Sequence, residues 1–165
     1  MKIRKLRHPE EAKACARLMA DSEPWITLRR TYEHCLRILK DPSREIYLAI
    51  LKDEIIGFVI FLMRGPLVGY IQTVAVKPEL RSRGIGSKLL DFAEKKIFTR
   101  TSNVFMCVSS FNKKAQKLYQ RLGYEAIGEL KDYIVPGHSE ILLRKSIGPI
   151  REFKKHAETT KPSKS

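Results

Sequence analysis

Hydrophobic spacing changes period along the chain, and this change predicts the order of the structural elements. After an alternating start at 1–6, apolar residues three and four apart predict helices around Ala12–Met19 and Tyr32–Leu39. Two β-branched apolar runs, Ile46–Leu51 and Ile55–Met63, then predict a β-hairpin through the polar residues between them. The first third of the chain is therefore expected to be a short strand, two helices and a hairpin.

The rest of the chain alternates between the spacing typical of strands and the spacing typical of helices. A strand is predicted over Val68–Val76, with Tyr70, Gln72, Val74 and Val76 on one face. The later predictions are a helix from Ile85, a strand Val104–Val108, a helix Lys113–Leu122, and a strand pair Tyr124–Leu130 and Ser139–Lys145. This order predicts the α/β (α+β) class, with a mixed sheet and helices on its faces.

Length and charge divide the chain into a domain and a tail. Its 165 residues are enough for one domain, predicted over 1–145, and residues 146–165 are predicted to be a flexible basic tail. Lys and Arg number 32 against 18 Asp and Glu, a formal net charge of +14 that favours anionic partners. The tail would either contact RNA or the ribosome weakly, or only aid solubility.

Several classes of protein are excluded by the composition. The longest apolar run, Ile55–Met63, is too short to span a bilayer, and Met1–Glu11 has no apolar core typical of a signal peptide. Cys15, Cys35 and Cys107 are not closely paired, and the histidines lack metal-ligand spacing. We therefore expect a cytoplasmic protein with reduced thiols, no metal and no membrane contact.

The segment Arg81-Ser82-Arg83-Gly84-Ile85-Gly86-Ser87 stands between a predicted strand and a predicted helix. Its two glycines let the backbone turn tightly, and the free N–H groups of the helix start attract anions. The segment lacks the Gly-Lys-Ser/Thr of a Walker A loop and the third glycine of the dinucleotide fingerprint. It predicts a cradle of pyrophosphate size, with a plain tight turn as the alternative.

This segment, with its flanks, resembles the GNAT superfamily of acetyl-CoA-dependent N-acetyltransferases. The loop matches the pattern Arg/Gln-x-x-Gly-x-Gly/Ala and follows a strand ending Thr73-Val74-Ala75-Val76-Lys77-Pro78. Residues 112–124 match Asn-x-x-Ala-x-x-Leu-Tyr-x-x-x-Gly-Phe/Tyr. The motifs cover about 68–126, the element order extends the likeness over 1–145, and the ribosomal-protein alanine acetyltransferases are the most similar branch.

The resemblance implies a mostly antiparallel sheet of about seven strands, splayed between the fourth and fifth, with acetyl-CoA in the gap. Val74 would donate its backbone N–H to the thioester oxygen, and Tyr119 would protonate the thiolate. Asn112 would touch the pantetheine arm, although its position equally suits a helix N-cap. The residues implied to contact the cofactor are Val74, Ala75, Val76, Arg81, Ser82, Arg83, Gly84, Ile85, Gly86, Ser87, Asn112, Ala115 and Tyr119.

The general base is not evident from the motifs. Related enzymes often carry Glu or His at the position of Cys107, and a buried thiol is a poor base. Tyr70 matches a tyrosine used by some N-terminal acetyltransferases, either as the base or as a relay through water. Further candidates are Glu23, His138 and Tyr133, although the position of each favours a solvated loop residue over a base.

The acceptor is open as well. Trp25, Gln72 and Tyr133 are the residues predicted to contact it. The favoured acceptor is a protein N-terminus or lysine, with a small amine such as a polyamine or amino acid as the alternative. A basic RNA- or ribosome-binding module with a degenerate loop is the non-enzymatic alternative, and a homodimer is compatible with the family.

Overall fold

The computed structural model describes residues 1–154, in which seven strands form one sheet. The strands are β1 Lys2–Lys5, β2 Arg44–Leu51, β3 Glu54–Leu62, β4 Tyr70–Val76, β5 Asn103–Ser109, β6 Glu125–Leu130 and β7 Glu140–Ser146. The helices are α1 Pro9–Ala20, α2 Tyr32–Lys40, α3 Ile85–Phe98 and α4 Lys113–Arg121. The spatial order is β1-β2-β3-β4-β5-β7-β6, with only β4 and β5 parallel. The predicted fold class is confirmed.

The sheet carries a hydrophobic core on each face. Cys15 of α1 and Cys35 of α2 are fully buried against the β2–β4 side chains Leu48 and Phe58. On the other face Leu89 of α3 packs with residues of β3, β4, β5 and β7. The free thiols of Cys15 and Cys35 are therefore core residues, and burial raises the pKa of Cys15 to about 12.

A β-bulge interrupts the alternation of β4. Thr73 pairs with Ile60 of β3 and Ile71 pairs with Phe61, so Gln72 is the extra residue. Val74 packs with the α3 side of the sheet, whereas Gln72 bonds to Arg44 on the α1–α2 side. The prediction that Tyr70, Gln72, Val74 and Val76 share one face is therefore wrong, because a single inserted residue moves the side chains before it to the opposite face.

The predicted strand over Val68–Val76 begins two residues late, at Tyr70. Gly69 stops it, since its φ of +86° lies in the left-handed region and a Cβ there would stand 2.4 Å from the Asn103 carbonyl. Pairing between β4 and β5 is confined to Tyr70 with Phe105 and Ile71 with Met106. Beyond that point the strands diverge, which confirms the predicted splay.

Regular structure continues past residue 145, the predicted end of the domain. β7 runs through Ser146, and a 3₁₀ turn follows at Ile150–Glu152. The remainder of the predicted tail, 155–165, lies outside the described residues, and with it much of the basis for an RNA contact. Within residues 1–154, no helix is long and apolar enough to cross a membrane.

Candidate active site

The loop from Arg81 to Ser87 presents a row of free backbone N–H groups. Ser82 and Gly84 both have left-handed backbones, with φ of +63° and +79°, and Gly84 is the N-cap of α3. Among residues 1–154 no acceptor binds the N–H groups of residues 82 to 87, and the first helical bond runs from Lys88 to Gly84. Free N–H groups at the positive end of a helix are the features that attract an anion.

Two basic side chains hold this loop in place. The Arg81 guanidinium donates to the carbonyls of Val76 and Glu23, both at 3.1 Å, so it links the loop to β4 and to the α1–α2 connection. Lys114, in the first turn of α4, donates to Ser82 Oγ at 2.5 Å. Lys114 was not predicted, because nothing in its own sequence neighbourhood shows that α4 begins beside the loop.

The splay exposes a stretch of β4 backbone toward β5. The Lys77 N–H donates to Ile56 on the β3 side. Since N–H groups alternate sides along an antiparallel strand, those of Val74 and Val76 point away from β3, into the gap. An N–H aimed into a gap is the geometry that an oxyanion donor requires.

A cavity of about 460 Å³ opens at this gap. It brings together residues predicted from distant parts of the sequence, namely Trp25, Tyr70, Gln72, Val74, Asn112, Tyr119 and Tyr133. The loop around Gly84 does not line it. The cavity and the anion site are therefore two regions, joined along β4.

Asn112 and Tyr119 enter the cavity from α4. Asn112 caps the helix, with its Oδ1 accepting the Ala115 N–H at 3.2 Å, so the N-cap alternative is observed. Tyr119 lies two turns later, and its ring meets that of Tyr124 edge-on, with centroids 6.0 Å apart. Burial raises the pKa of Tyr119 to about 12, which keeps the hydroxyl protonated at neutral pH.

Tyr70 and Cys107 face each other across the narrow end of the splay. Burial, together with the Cys107 thiol, raises the pKa of Tyr70 far above its ordinary value. This direction is opposite to the one that a phenolate base needs, so of the two roles considered for Tyr70 only the relay suits it. Burial also raises the pKa of Cys107, so this thiol is not activated as a base or nucleophile.

The remaining predicted residues divide between the cavity and its surroundings. Trp25 lines the cavity and also packs against the α1–α2 core, and Tyr133 stands 63% exposed at the rim. Glu23 is turned away, since its carboxylate accepts the N–H and hydroxyl of Thr27. His138 lies edge-on against Phe111 and does not line the cavity.

Three charged residues of the cavity were not predicted, namely Arg30, Arg64 and Glu140. Glu140 lines it with only 4% of its surface exposed, and its Oε1 accepts the Ser109 hydroxyl at 2.6 Å. Arg30 also lines the cavity and contacts His34, whose pKa is lowered by burial and by the arginine. Glu140 reaches the cavity through the pairing of β7 with β5, a register that the sequence does not reveal. Across residues 1–154, no cluster of three or more His, Cys, Asp or Glu could hold a metal ion.

Curated proteins with named functions match part of this chain. The N-acetylaspartate synthetase of Xenopus tropicalis is 28% identical over 120 residues, covering 68% of this chain and 42% of that protein. The thialysine N-epsilon-acetyltransferase of Bos taurus is 35% identical over 65 residues, covering 39% of this chain and 38% of that protein. The chain thus spans about two fifths of the length of these relatives.

Solved structures share the fold over nearly the whole chain. An aminoglycoside 6'-N-acetyltransferase complexed with coenzyme A has a TM-score of 0.71 at 19% identity, covering 90% of this chain and 98% of that one. A ribosomal-protein-alanine N-acetyltransferase from Brucella melitensis has a TM-score of 0.70 at 17% identity, covering 89% and 100%.

The family comparison covers the strands and helices that build both regions of the site. The profile described as "Acetyltransferase (GNAT) family" matches residues 8–124, from the start of α1 to the end of the α4 motif. The match includes the anion-binding loop, the splayed strands and Tyr119. The chain therefore belongs to the GNAT acetyltransferase family.

Proposed function

We propose that this protein transfers an acetyl group directly from acetyl-CoA to a primary amine. The observation that carries the proposal is the splay, where the Val74 N–H is aimed into the same cavity that the Tyr119 side chain lines. A direct transfer suits the cavity because its one thiol, Cys107, has a raised pKa and is not activated for an acyl-enzyme step.

The anion site fits the pyrophosphate of the donor. Residues 82 to 87 offer their N–H groups, and a Cβ built on Gly84 would meet nothing within 4 Å, so the space above the loop is open. Arg83 is exposed and Lys114 donates to Ser82, so both cations would be available to the phosphates. The pantetheine arm would then follow β4 from this loop toward Val74.

The residues at the gap supply the groups that thioester aminolysis needs. The Val74 N–H donates to the thioester oxygen as negative charge develops on it. The Tyr119 hydroxyl donates its proton to the sulfur as the C–S bond breaks. The Tyr119 hydroxyl, with a pKa of about 12, is a weaker acid than a thiol, which has an ordinary pKa of about 8.5. Tyr119 must therefore regain a proton as it gives its own to the sulfur. The attacking nitrogen has a proton to supply.

The acceptor side favours an amine whose molecule also carries an acid group. Arg30 and Arg64 line the cavity as cations, and Glu140 lines it as a buried carboxyl group. Arginines suit a carboxylate, and Glu140 suits an ammonium group. A free amino acid carries both charges, and the matched relatives are named for aspartate and thialysine acceptors.

A protein N-terminus or lysine is the second candidate. Tyr133 stands 63% exposed at the cavity rim, so it offers a surface beyond the cavity for the next residues of a peptide. This acceptor was favoured from the sequence, and it stays a prediction.

One assay separates these candidates. Acetyl-CoA turnover is measured with aspartate, lysine, spermidine and an alanine-starting peptide, while CoA binding is followed by calorimetry. The proposal expects CoA to bind and a free amino acid to have the highest kcat/KM. A peptide with the highest kcat/KM would favour the second candidate, and CoA binding without turnover of any amine would refute the transfer function.

A further inference from the structure

Glu140 is the most buried carboxyl group of the site. It is the first residue of β7 and lies in register with Ser109 of β5, so both side chains leave the sheet on the cavity face. Only 4% of Glu140 is exposed, yet it lines the cavity together with Tyr70 and Tyr133. Burying a carboxylate is costly unless a cation or several donors compensate it.

The other well-buried carboxylates of the protein have such compensation. Glu11 pairs with Arg4 at 2.6 Å, and Glu94 pairs with Lys145 at 2.6 Å while accepting the Tyr124 hydroxyl. Glu140 has no ion pair with any cation of residues 1–154. Its one hydrogen bond comes from the neutral Ser109 hydroxyl.

The second carboxyl oxygen is the one available to a ligand. Ser109 occupies Oε1, and no donor within residues 1–154 binds Oε2. Every fully buried side-chain oxygen or nitrogen in that part of the chain has a partner, so Oε2 must keep some exposure. Since Glu140 lines the cavity, that exposure is toward the acceptor space.

The groups around Glu140 leave the cationic position open. Tyr70 of β4, Cys107 and Ser109 of β5 and Tyr133 of the β6–β7 loop are neutral donors or acceptors. Within residues 1–154, the charge of Arg30 lowers the pKa of the Glu140 carboxyl, but the two side chains form no ion pair. Burial raises the pKa of Glu140, while the Ser109 hydrogen bond and Arg30 partly lower it.

We propose that Glu140 binds the ammonium group of the acceptor through Oε2 and takes its first proton. This proposal rests on the acetyltransferase function proposed above and adds the base that the motifs did not supply. A substrate ammonium provides the cation that Glu140 lacks, and a base that is not strongly acidic is able to hold the transferred proton.

The protons and bonds balance as follows. One N–H bond of the ammonium breaks, and its proton forms an O–H bond at Oε2, which leaves a neutral amine with a lone pair. The lone pair forms the C–N bond, the C–S bond breaks, and the sulfur takes the Tyr119 proton. The second nitrogen proton replaces that of Tyr119, and Glu140 then releases one proton to solvent.

The first test compares Glu140→Gln with Glu11→Gln, which removes a paired carboxylate outside the cavity. With the best acceptor of the panel, we expect kcat/KM at pH 7 to fall about a hundredfold in Glu140→Gln and to stay within about threefold in Glu11→Gln. The unmodified protein should be most active where Glu140 is ionised and the amine protonated. The variant should instead gain rate with rising pH up to the pKa of the free amine. A Glu140→Gln protein with the parent's rate and pH profile would overturn the proposal.

Ser109→Ala tests the same group through its pKa. Loss of the Ser109 hydrogen bond raises the pKa of Glu140, so the acidic limb of kcat/KM should move to higher pH. A purely structural Glu140 would leave that limb in place, and that result would contradict the proposal.

A third readout does not need turnover. Because burial raises the folded-state pKa of Glu140, its ionisation opposes folding, so Glu140→Gln should melt higher than the parent at pH 8. The difference should shrink as the pH falls through that pKa, and Glu11→Gln should melt lower instead. If CoA binds but no amine is acetylated, the proposed transfer function fails, and the melting comparison alone tests the role of Glu140. A Glu140→Gln protein that melts lower than the parent at pH 8 would show that Glu140 has a structural role.

Discussion

The 82–87 loop, proposed to bind the pyrophosphate, and the cavity, proposed to bind the acceptor, lie at opposite ends of the exposed β4 edge and are built by different means. The loop is a continuous run of residues, 82 to 87, and its chemistry is that of backbone N–H groups. The cavity is assembled from side chains of distant segments, such as Trp25, Tyr70, Tyr119 and Glu140. Backbone groups recognise a phosphate with almost any side chain, whereas an acceptor is recognised only by the particular side chains that meet it.

This contrast explains why donor and acceptor differ in how readily they are inferred. The loop favours glycine where φ is positive, and Gly84 is therefore recognisable in the sequence. The cavity walls require only that elements fold together. A family can therefore keep one donor and change acceptors by substituting residues around the cavity.

The largest expected effect lies in the cavity, at Tyr119. Tyr119→Phe keeps the ring that packs against Tyr124 and deletes only the hydroxyl that would donate to the sulfur. We expect kcat to fall by about ten- to a thousandfold with little change in CoA affinity. Steady-state kinetics and CoA calorimetry measure the two quantities.

Tyr124→Phe is the matched control, since it removes a hydroxyl one ring away that bonds to Glu94 outside the cavity. It should lower stability by about 1 kcal/mol and leave kcat within about threefold. A Tyr119→Phe enzyme with kcat within twofold of the parent would show that Tyr119 serves packing and not proton transfer.

A smaller effect is expected within the loop, where the two glycines differ. Gly84 has a φ of +79°, so Gly84→Val imposes a left-handed backbone on a β-branched residue at a cost of about 1–2 kcal/mol. We expect a loop displaced from its anion-binding conformation and CoA affinity reduced about tenfold. Gly86 has no such φ, and a Cβ there would make only an ordinary contact, 3.8 Å from Val76.

Gly86→Val therefore tests how closely the ligand approaches the loop, and not the conformation of the turn. The expectation that both glycines let the backbone turn tightly fits Gly84 alone, since Gly86 has no positive φ. If the phosphates approach the start of α3 closely, Gly86→Val weakens CoA binding while the melting temperature stays near that of the parent. Unchanged CoA affinity in both folded variants would remove the anion-site assignment.

The sequence predicts what depends on local patterns and fails where pairing across the sheet decides. Alternation and helical spacing predicted the strands and helices, and the Gly84 turn predicted the loop. One bulge at Gln72 was enough to place Gln72 and Val74 on opposite faces, because a bulge forms from the mismatch of two strands and has no signal of its own here. Glu140 was missed for a related reason, since only the register of β7 with β5 brings it beside Ser109.

The smallest effect is expected at the rim of the cavity, where Arg64 is exposed on the β3–β4 connection. A charge in water stabilises a partner about 4 Å away by about 1 kcal/mol, so Arg64→Gln should raise the KM of a carboxylate-bearing acceptor about fivefold. The KM of acetyl-CoA and of an uncharged amine should not change. Arg7→Gln, an exposed site that does not line the cavity, removes the same charge and controls for the net charge of +14. Equal effects of the two substitutions would mean that the acceptor responds to the overall field of a basic protein. An effect confined to Arg64→Gln, and reduced by added salt, would show that the cavity rim itself selects the acid group of the acceptor.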